Sequence, residues 1–283
     1  MTHAFTQLLL ATEHSEQDAG AEALAFAMAQ RCGLPLAAVL PIVSNPEYEA
    51  LAPQLAAHTE AQAGQRIQAL LAEAQRAGIV LELQARRGPE PYREIVEEAQ
   101  ARRADLLVIR RRGKRGLLAN LLVGDMVRNV VTHSPCSVLV VPRASQMWTR
   151  RVLVALDPAT ADMTPVATAA AIAAECGLPL SVLCVTEPAA DAMQVAERAL
   201  QKAWSTGRAF GVTVDAVTRV GRPHEQIVAA AQQLGADLIV IGRHGGDSLS
   251  RAWLGGVAQK VIGLAEEPVL VAVTSLSPPG AHA

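Results

Sequence analysis

Aromatic side chains and a surplus of charge are both missing from this sequence. Phe, Trp and Tyr together make up 3% of the 283 residues, whereas 51% are hydrophobic and the net charge is −2. A core built from such a chain is aliphatic and rich in alanine. The near-neutral charge offers no general attraction to nucleic acid or to an anionic membrane, and we therefore expect neither as a partner.

Long apolar runs are also absent. No stretch of 18 or more apolar residues lacks a charge, because Arg31 and Glu175 interrupt the two most apolar regions. The start, MTHAFTQLLLATE, has no basic segment ahead of its short apolar run, so it does not resemble a secretory signal. We expect no membrane span and a soluble protein of the cytoplasm.

The sequence has few cysteines, and their spacing matches no common metal or redox motif. The four cysteines, Cys32, Cys136, Cys176 and Cys184, form no Cys-x-x-Cys pair and have no histidine at metal-ligand spacing. They are expected to be small buried hydrophobic residues in a reducing compartment. The sequence therefore predicts no structural metal.

What the sequence does contain is a repeat of a whole domain. Residues 7–36 align without a gap to residues 151–180, and the segment ADLLVIR returns later as ADLIVIG. The first copy carries twelve extra residues between these segments, and residues 49–78 are predicted to absorb them as one lengthened helix. We predict domains at 1–146 and 147–275, followed by a disordered tail at 276–283.

Each copy alternates short aliphatic runs with longer alanine-rich helical patterns. In the second copy the predicted strands are RVLVAL, PLSVLCV, VTVDAVT, DLIVIG and PVLVAV. Five mostly apolar strands separated by helices are typical of a parallel sheet covered on both faces. We predict an α/β class protein with two tandem five-stranded domains of three layers, α/β/α.

A glycine-rich segment, GRHGGDSLSRAWLGG at 242–256, follows the predicted fourth strand of the second copy. Ligands of such sheets bind beyond the carboxyl ends of the strands. Gly255 and Gly256 fall at the first turn of the next predicted helix, where free backbone N–H groups and the helix dipole favour a phosphate. The alternative for the segment is an unoccupied flexible loop.

Two side chains near this segment have candidate roles. Asp157 ends the first strand of the second copy, where its carboxylate could accept hydrogen bonds from a ribose or an adenine amine. It precedes a proline, so it could equally be a turn residue. His244 could touch a phosphate or act as a base, or could simply face solvent.

The spacing Gly242-x-x-Gly245, nine residues, then Gly255 resembles the nucleotide-binding motif of the universal stress protein family. The resemblance covers nearly the whole chain, once per copy, and implies the family's Rossmann-like fold of the adenine nucleotide α-hydrolase type. It implies ATP, with Mg²⁺, as the ligand. The residues it places around the nucleotide are Ala155, Asp157, Val185, Gly242, His244, Gly245, Gly255, Gly256 and Val257. Gly256 departs from the pattern, since many members have Ser or Thr there.

The first copy departs further from this motif. Arg110 replaces Gly242, Glu13 replaces Asp157, and Asp125 follows the last glycine, where its carboxylate could take the place of a phosphate. We predict a degenerate site that binds no ATP. The basic segment Arg110–Arg115 is interpreted either as a solvated loop or as a docking site for an unknown acidic protein partner.

No catalytic motif was found: the sequence has no Gly-Lys-Ser/Thr, Gly-x-Ser-x-Gly or His-Glu-x-x-His. We expect at most slow hydrolysis of bound ATP. Two functions stay open, a nucleotide-binding stress or regulatory protein with one working site and an interaction protein of the same fold with none. A third, an enzyme of a related fold, lacks a visible catalytic constellation.

The last predicted strands of the two copies, SVLVV and PVLVA, should be sheet edges, which favour pairing with another strand. We therefore predict that the two copies pair with each other as an intramolecular pseudo-dimer. Whether two chains form a further homodimer stays open.

Overall fold

The fold was analysed in a computed structural model that describes residues 3–111, 124–160, 162–243 and 254–273. The first half contains β1 (Leu8–Ala11), α1 (Ala19–Cys32), β2 (Leu36–Val43), α2 (Pro46–Leu51), α3 (Pro53–Arg76), β3 (Leu81–Gly88), α4 (Pro91–Ala101), β4 (Leu106–Arg110), α5 (Asp125–His133) and β5 (Ser137–Val141). The second half contains β6 (Val152–Leu156), α6 (Thr164–Cys176), β7 (Leu180–Thr186), α7 (Ala190–Ala209), β8 (Val214–Val220), α8 (Pro223–Leu234), β9 (Leu238–Gly242), α9 (Gly256–Leu264) and β10 (Val269–Ala272).

The described strands form one sheet in the order β3-β2-β1-β4-β5-β10-β9-β6-β7-β8. Neighbouring strands within each half are parallel, which confirms the predicted fold class. The strand order reverses direction beside β1 in the first half and beside β6 in the second. In α/β sheets the carboxyl ends of the strands at such a reversal are where ligands bind.

The two halves meet where β5 and β10 pair antiparallel. Val138, Leu139 and Val140 lie opposite Val271, Leu270 and Val269, and all six residues are buried. The expected pairing of the last strands is therefore present. It covers the edge that each half would otherwise expose.

The core lies on both faces of the sheet and runs through both halves. Helices α1, α3, α6 and α7 cover one face, and α4, α5, α8 and α9 cover the other. Because the strands alternate their side chains between faces, Leu139 and Leu270 join the first layer while Val138 and Val271 join the second. Leu, Val, Ile and Ala fill these layers, as the shortage of aromatic residues indicates.

The prediction of one helix over 49–78 is wrong. The chain forms two helices there, α2 and α3, separated at Ala52, which has φ −136° and ψ 65°. Pro53 explains the break because the residue before a proline is disfavoured in the α conformation, and proline itself is well placed at the start of a new helix.

Two arginines cross the seam between the halves in a reciprocal manner. Arg243, just after β9, donates from Nη1 to the carbonyl oxygens of Thr132 at 3.1 Å and Ser134 at 2.9 Å, at the end of α5. Arg111, just after β4, donates to the carbonyl oxygens of Ile262 and Ala265, at the end of α9. Each guanidinium thus caps the negative end of a helix dipole in the other half. Burial lowers the pKa of both arginines.

The four cysteines differ in burial. Cys136 and Cys184 are buried, as predicted, whereas Cys32 and Cys176 are half-buried at the ends of the equivalent helices α1 and α6. None of the described helices combines the length and the apolar character that a membrane crossing requires. The predicted tail at 276–283 lies outside the described residues.

Candidate functional site

A large crevice lies in the second half, at the carboxyl ends of β6, β7 and β9, and has a volume of about 620 Å³. This is within the range of roughly 300–1,000 Å³ typical of ligand sites. Seven of the nine residues predicted around the nucleotide line it: Ala155, Asp157, Val185, Gly242, Gly255, Gly256 and Val257. The other two, His244 and Gly245, lie outside the described residues.

The start of α9 forms one end of this crevice. Gly255 is the N-cap residue, and no side chain among the described residues caps the helix. The Gly255 N–H donates to the carbonyl oxygen of Arg243 at 3.1 Å, and the Gln259 N–H donates to the carbonyl oxygen of Gly255 at 3.0 Å. The amides between them belong to the first turn, where backbone donors have no acceptor within the helix. This end of the crevice therefore favours an anion.

Asp157 is a turn residue that also lines the crevice. Its Oδ1 accepts the Ala159 N–H at 2.9 Å, and its carbonyl oxygen accepts the Thr160 N–H at 3.2 Å, so it does shape the turn that follows β6. It also lines the crevice. One oxygen of its carboxylate therefore stabilises the turn, and the residue also forms part of the crevice wall.

Several lining residues were missed from the sequence. Lys260 lies one turn into α9 and lines the crevice, as do Thr160 and Asp162 from the turn after β6. Ile227, on α8, supplies an apolar wall from a third element. Lys260 had a detectable signal, since a residue four positions after Gly256 lies on the same helix face. Ile227 had none, because its approach depends on the tertiary packing of α8.

The equivalent position in the first half is closed by Arg110. This residue is 7% exposed. Its Nη2 donates to Glu13 Oε2 at 2.8 Å, while its Nη1 donates to Ser15 Oγ at 3.0 Å and contacts Asp18 Oδ2 at 3.3 Å. A guanidinium therefore fills the space that Gly242 leaves open in the second half.

The volume difference between the two sites is large. The cavity beside Arg110 is about 10 Å³, and its lining includes Glu13, Asp18 and Met126. Asp125 does not take the place of a phosphate, contrary to our expectation. Its side chain is 72% exposed and pairs with Arg128 at 2.9 Å. Of the predicted departures in the first copy, Arg110 in place of Gly242 is the one that closes this space.

The interpretation of Arg110–Arg115 as one accessible basic loop is wrong for its first two members. Arg110 is enclosed by carboxylates, and Arg111 is committed to the seam. Both contacts follow from the position of these residues at the end of a buried strand, which directs their side chains inward. Residues 112–115 lie outside the described residues.

Cys184 is buried and precedes Val185, a residue of the crevice wall. Burial, together with the nearby Asp157 carboxylate, raises the pKa of Cys184 to about 12. A thiol of that pKa is protonated near neutral pH, and a protonated thiol is a poor nucleophile.

Comparisons with known proteins agree with this architecture. The family model described as "Universal stress protein family" matches residues 4–142 and again 149–272. A universal stress protein of Archaeoglobus fulgidus DSM 4304 has a similar structure, with a TM-score of 0.70, 21% identity and coverage of 96% of this chain and 97% of that one.

Two curated relatives match shorter segments. Universal stress protein MJ0577 of Methanocaldococcus jannaschii is 43% identical over 61 residues, which are 22% of this chain and 38% of the relative. Universal stress protein MJ0531 of the same organism is 40% identical over 75 residues, 26% of this chain and 44% of the relative. The chain therefore spans less than half the length of the curated relatives that it matches. The family model, in contrast, covers both halves almost completely, and the chain belongs to the universal stress protein family as a tandem of two such domains.

Proposed function

We propose that the second domain binds one adenine nucleotide, ATP with Mg²⁺, and that the protein acts as a nucleotide-binding regulator in a stress response. The observation that carries the proposal is the crevice of about 620 Å³ that ends on the start of α9, which no side chain of the described residues caps. Its position at the strand-order reversal is where α/β sheets hold nucleotides.

Charge and shape divide this crevice into two parts. The first-turn amides of α9 and the ammonium group of Lys260 form a positive end that suits phosphates. Val185 and Ile227 add apolar surface to the lining, which suits a purine ring. Asp157 lies where a carboxylate can accept ribose hydroxyl groups. We assign the phosphates to the positive end, the base to the apolar part and the ribose to the neighbourhood of Asp157.

The first domain supports a stoichiometry of one nucleotide per chain. Its cavity of about 10 Å³ holds no ligand of this size, and its two carboxylates, Glu13 and Asp18, are already paired with Arg110. A nucleotide would have to displace a buried ion pair to enter. Breaking such a pair costs about 3–5 kcal/mol, so the first domain is not expected to bind.

One observation favours a second candidate, an interaction protein of the same fold that binds no nucleotide. Gly256 lacks the hydroxyl that the family resemblance leads one to expect at this position, which removes one hydrogen bond worth about 1 kcal/mol. The same residue offers a sensitive test. A Cβ added to Gly256 meets no heavy atom within 4 Å among the described residues, so a side chain is accommodated there.

The test is isothermal titration of Mg-ATP into the full chain, its G256S variant and its G256A variant. We expect saturation near one site per chain in all three proteins. The serine hydroxyl should tighten binding about fivefold relative to the alanine control, since about 1 kcal/mol corresponds to that factor.

A third variant, D157N, tests the ribose assignment. The amide oxygen of the substituted side chain can still accept the Ala159 N–H, so the turn is retained, but its NH₂ group can no longer accept a ribose hydroxyl. Affinity should fall about tenfold, which corresponds to about 1.4 kcal/mol. Absence of binding at millimolar ATP in the parent chain and in G256S would reject the nucleotide function and leave the interaction protein.

A further inference from the structure

Three side chains from distant parts of the sequence meet at the seam between the two halves. His3 Nδ1 lies 2.7 Å from Glu175 Oε1, and Cys32 Sγ lies 3.2 Å from the same oxygen. All three donor atoms lie within 4.8 Å of one another. A histidine nitrogen, a sulfur and a carboxylate oxygen are the three ligand types that zinc uses in proteins.

These side chains come from both halves of the protein, and the fold holds them in place. His3 precedes β1, Cys32 is the last residue of α1, and Glu175 lies in the last turn of α6. The second carboxylate oxygen of Glu175 accepts the Ala4 N–H at 2.8 Å, which orients the group from behind. Such outer hydrogen bonds are the usual means by which proteins orient metal ligands.

There is also room beside the cluster. A small cavity of about 20 Å³ adjoins Cys32 and Glu175, with Trp148 in its wall. Tetrahedral ligands at about 2.0–2.3 Å from a metal ion lie roughly 3.3–3.8 Å from one another. The donor atoms therefore need to move by less than about 1 Å, and a water molecule can complete the coordination.

We propose that His3, Cys32 and Glu175 form a site for a zinc-class divalent ion that links the two halves of the protein. On binding, the Cys32 thiol releases its proton to solvent, and the ion's two positive charges then face one thiolate and one carboxylate. A metal-bound imidazole is neutral, so the site balances in charge. A sulfur and a nitrogen ligand favour zinc over magnesium or calcium, which prefer oxygen.

This site was not predictable from spacing, because its members are 29 and 143 residues apart. It is independent of the nucleotide crevice, which lies at the opposite, carboxyl ends of the strands. His3 and the residue after Cys32 lie at the amino ends of β1 and β2.

The probe is cobalt chloride, titrated into the reduced full chain after removal of any affinity tag. We expect a sulfur-to-cobalt charge-transfer band in the near ultraviolet and the intense visible bands of tetrahedral Co²⁺, both reversed by added zinc. The C32S variant should lose the charge-transfer band and bind cobalt at least about 100-fold more weakly, the upper end of the loss for an outer-shell partner.

Two further variants make the result specific. E175Q keeps the size of the side chain but loses its charge, and it should also weaken binding. C136S changes a cysteine elsewhere in the core and should leave the spectrum unchanged. Zinc should raise the unfolding temperature of the parent and of C136S but not of C32S, because only a bound ion stabilises the folded state.

Either of two results would contradict the proposed metal site. If folded C32S and the parent give the same cobalt spectrum and affinity, or if the parent gives no tetrahedral spectrum, the three side chains are a hydrogen-bonded cluster only and the proposal is wrong. Circular dichroism of each variant establishes that it is folded before the comparison is made.

Discussion

Replacing Arg243 by alanine should weaken both the seam and the nucleotide site, whereas the same change at Arg111 should weaken the seam alone. The two arginines make equivalent contacts across the seam, each with carbonyl groups at the end of a helix in the other half. Only Arg243 also lines the large crevice. Its carbonyl oxygen accepts the Gly255 N–H, which positions the start of α9.

The expected loss of stability follows from these contacts. Hydrogen bonds from a charged donor contribute about 1.5–3 kcal/mol each, so the two acceptors within 3.1 Å of Nη1 give roughly 3–6 kcal/mol. Against this, burial penalises the guanidinium, as its lowered pKa indicates, and Nε finds no hydrogen-bond partner within the described part of the chain. A buried donor without a partner costs about 1–3 kcal/mol. We therefore expect R243A to lower the free energy of unfolding by about 2 kcal/mol.

The effect on affinity has a separate origin. Without its anchor in the first half, the backbone at Arg243 can shift, and the Gly255 amide shifts with it. We expect nucleotide affinity to fall about tenfold, which corresponds to about 1.4 kcal/mol. R111A should lose comparable stability but keep its affinity within about twofold.

Urea unfolding and calorimetric titration of ATP, run on both variants, measure the two effects separately. Equal loss of affinity in R111A would mean that general loosening of the seam, rather than the anchored backbone, governs the site. Unchanged affinity in a destabilised R243A would refute the proposed link between the seam and α9.

Two further predictions concern the first half. R110A should lower the free energy of unfolding by about 3 kcal/mol, because the carboxylates of Glu13 and Asp18 lose their shared cation; urea unfolding checks this, and an unchanged free energy of unfolding would contradict our account. Burial raises the pKa of Glu22 above its usual 4.5, against the opposing hydrogen bonds from Thr12 and His14, so the folded state holds this proton more tightly than the unfolded state. The free energy of unfolding should fall as the pH rises from 4.5 through the raised native pKa of Glu22. In urea unfolding measured across that pH range, E22Q should lack this part of the pH dependence. An identical pH dependence in both proteins would contradict the prediction.

The fold was largely readable from the sequence because its signals are local and occur twice. Short β-branched runs between alanine-rich segments indicate the strands, and the repeat doubles each signal. The break between α2 and α3 has a local cause as well, because Pro53 restricts the backbone of Ala52. A proline inside a helical pattern indicates that one helix ends and another begins there.

The site was readable only in part. Glycine spacing led to Gly242, Gly255 and Gly256, because backbone geometry at a strand end and a helix start depends on nearby residues. The contacts of the Arg110 side chain could not be predicted from the sequence. Its partners are 92–97 residues away, and only the fold brings them close. Side chains that join distant segments leave no periodic trace in a sequence.

The antiparallel seam has a consequence for how the protein is made. Strand β5 is complete about 130 residues before β10, which it pairs with, leaves the ribosome. At usual rates of synthesis this interval is on the order of ten seconds. During it the first half presents an open row of backbone donors and acceptors along an aliphatic strand, which another nascent chain can take up. Two chains made side by side could exchange their second halves and still form every strand pair, so translation density should control the balance between monomer and swapped dimer.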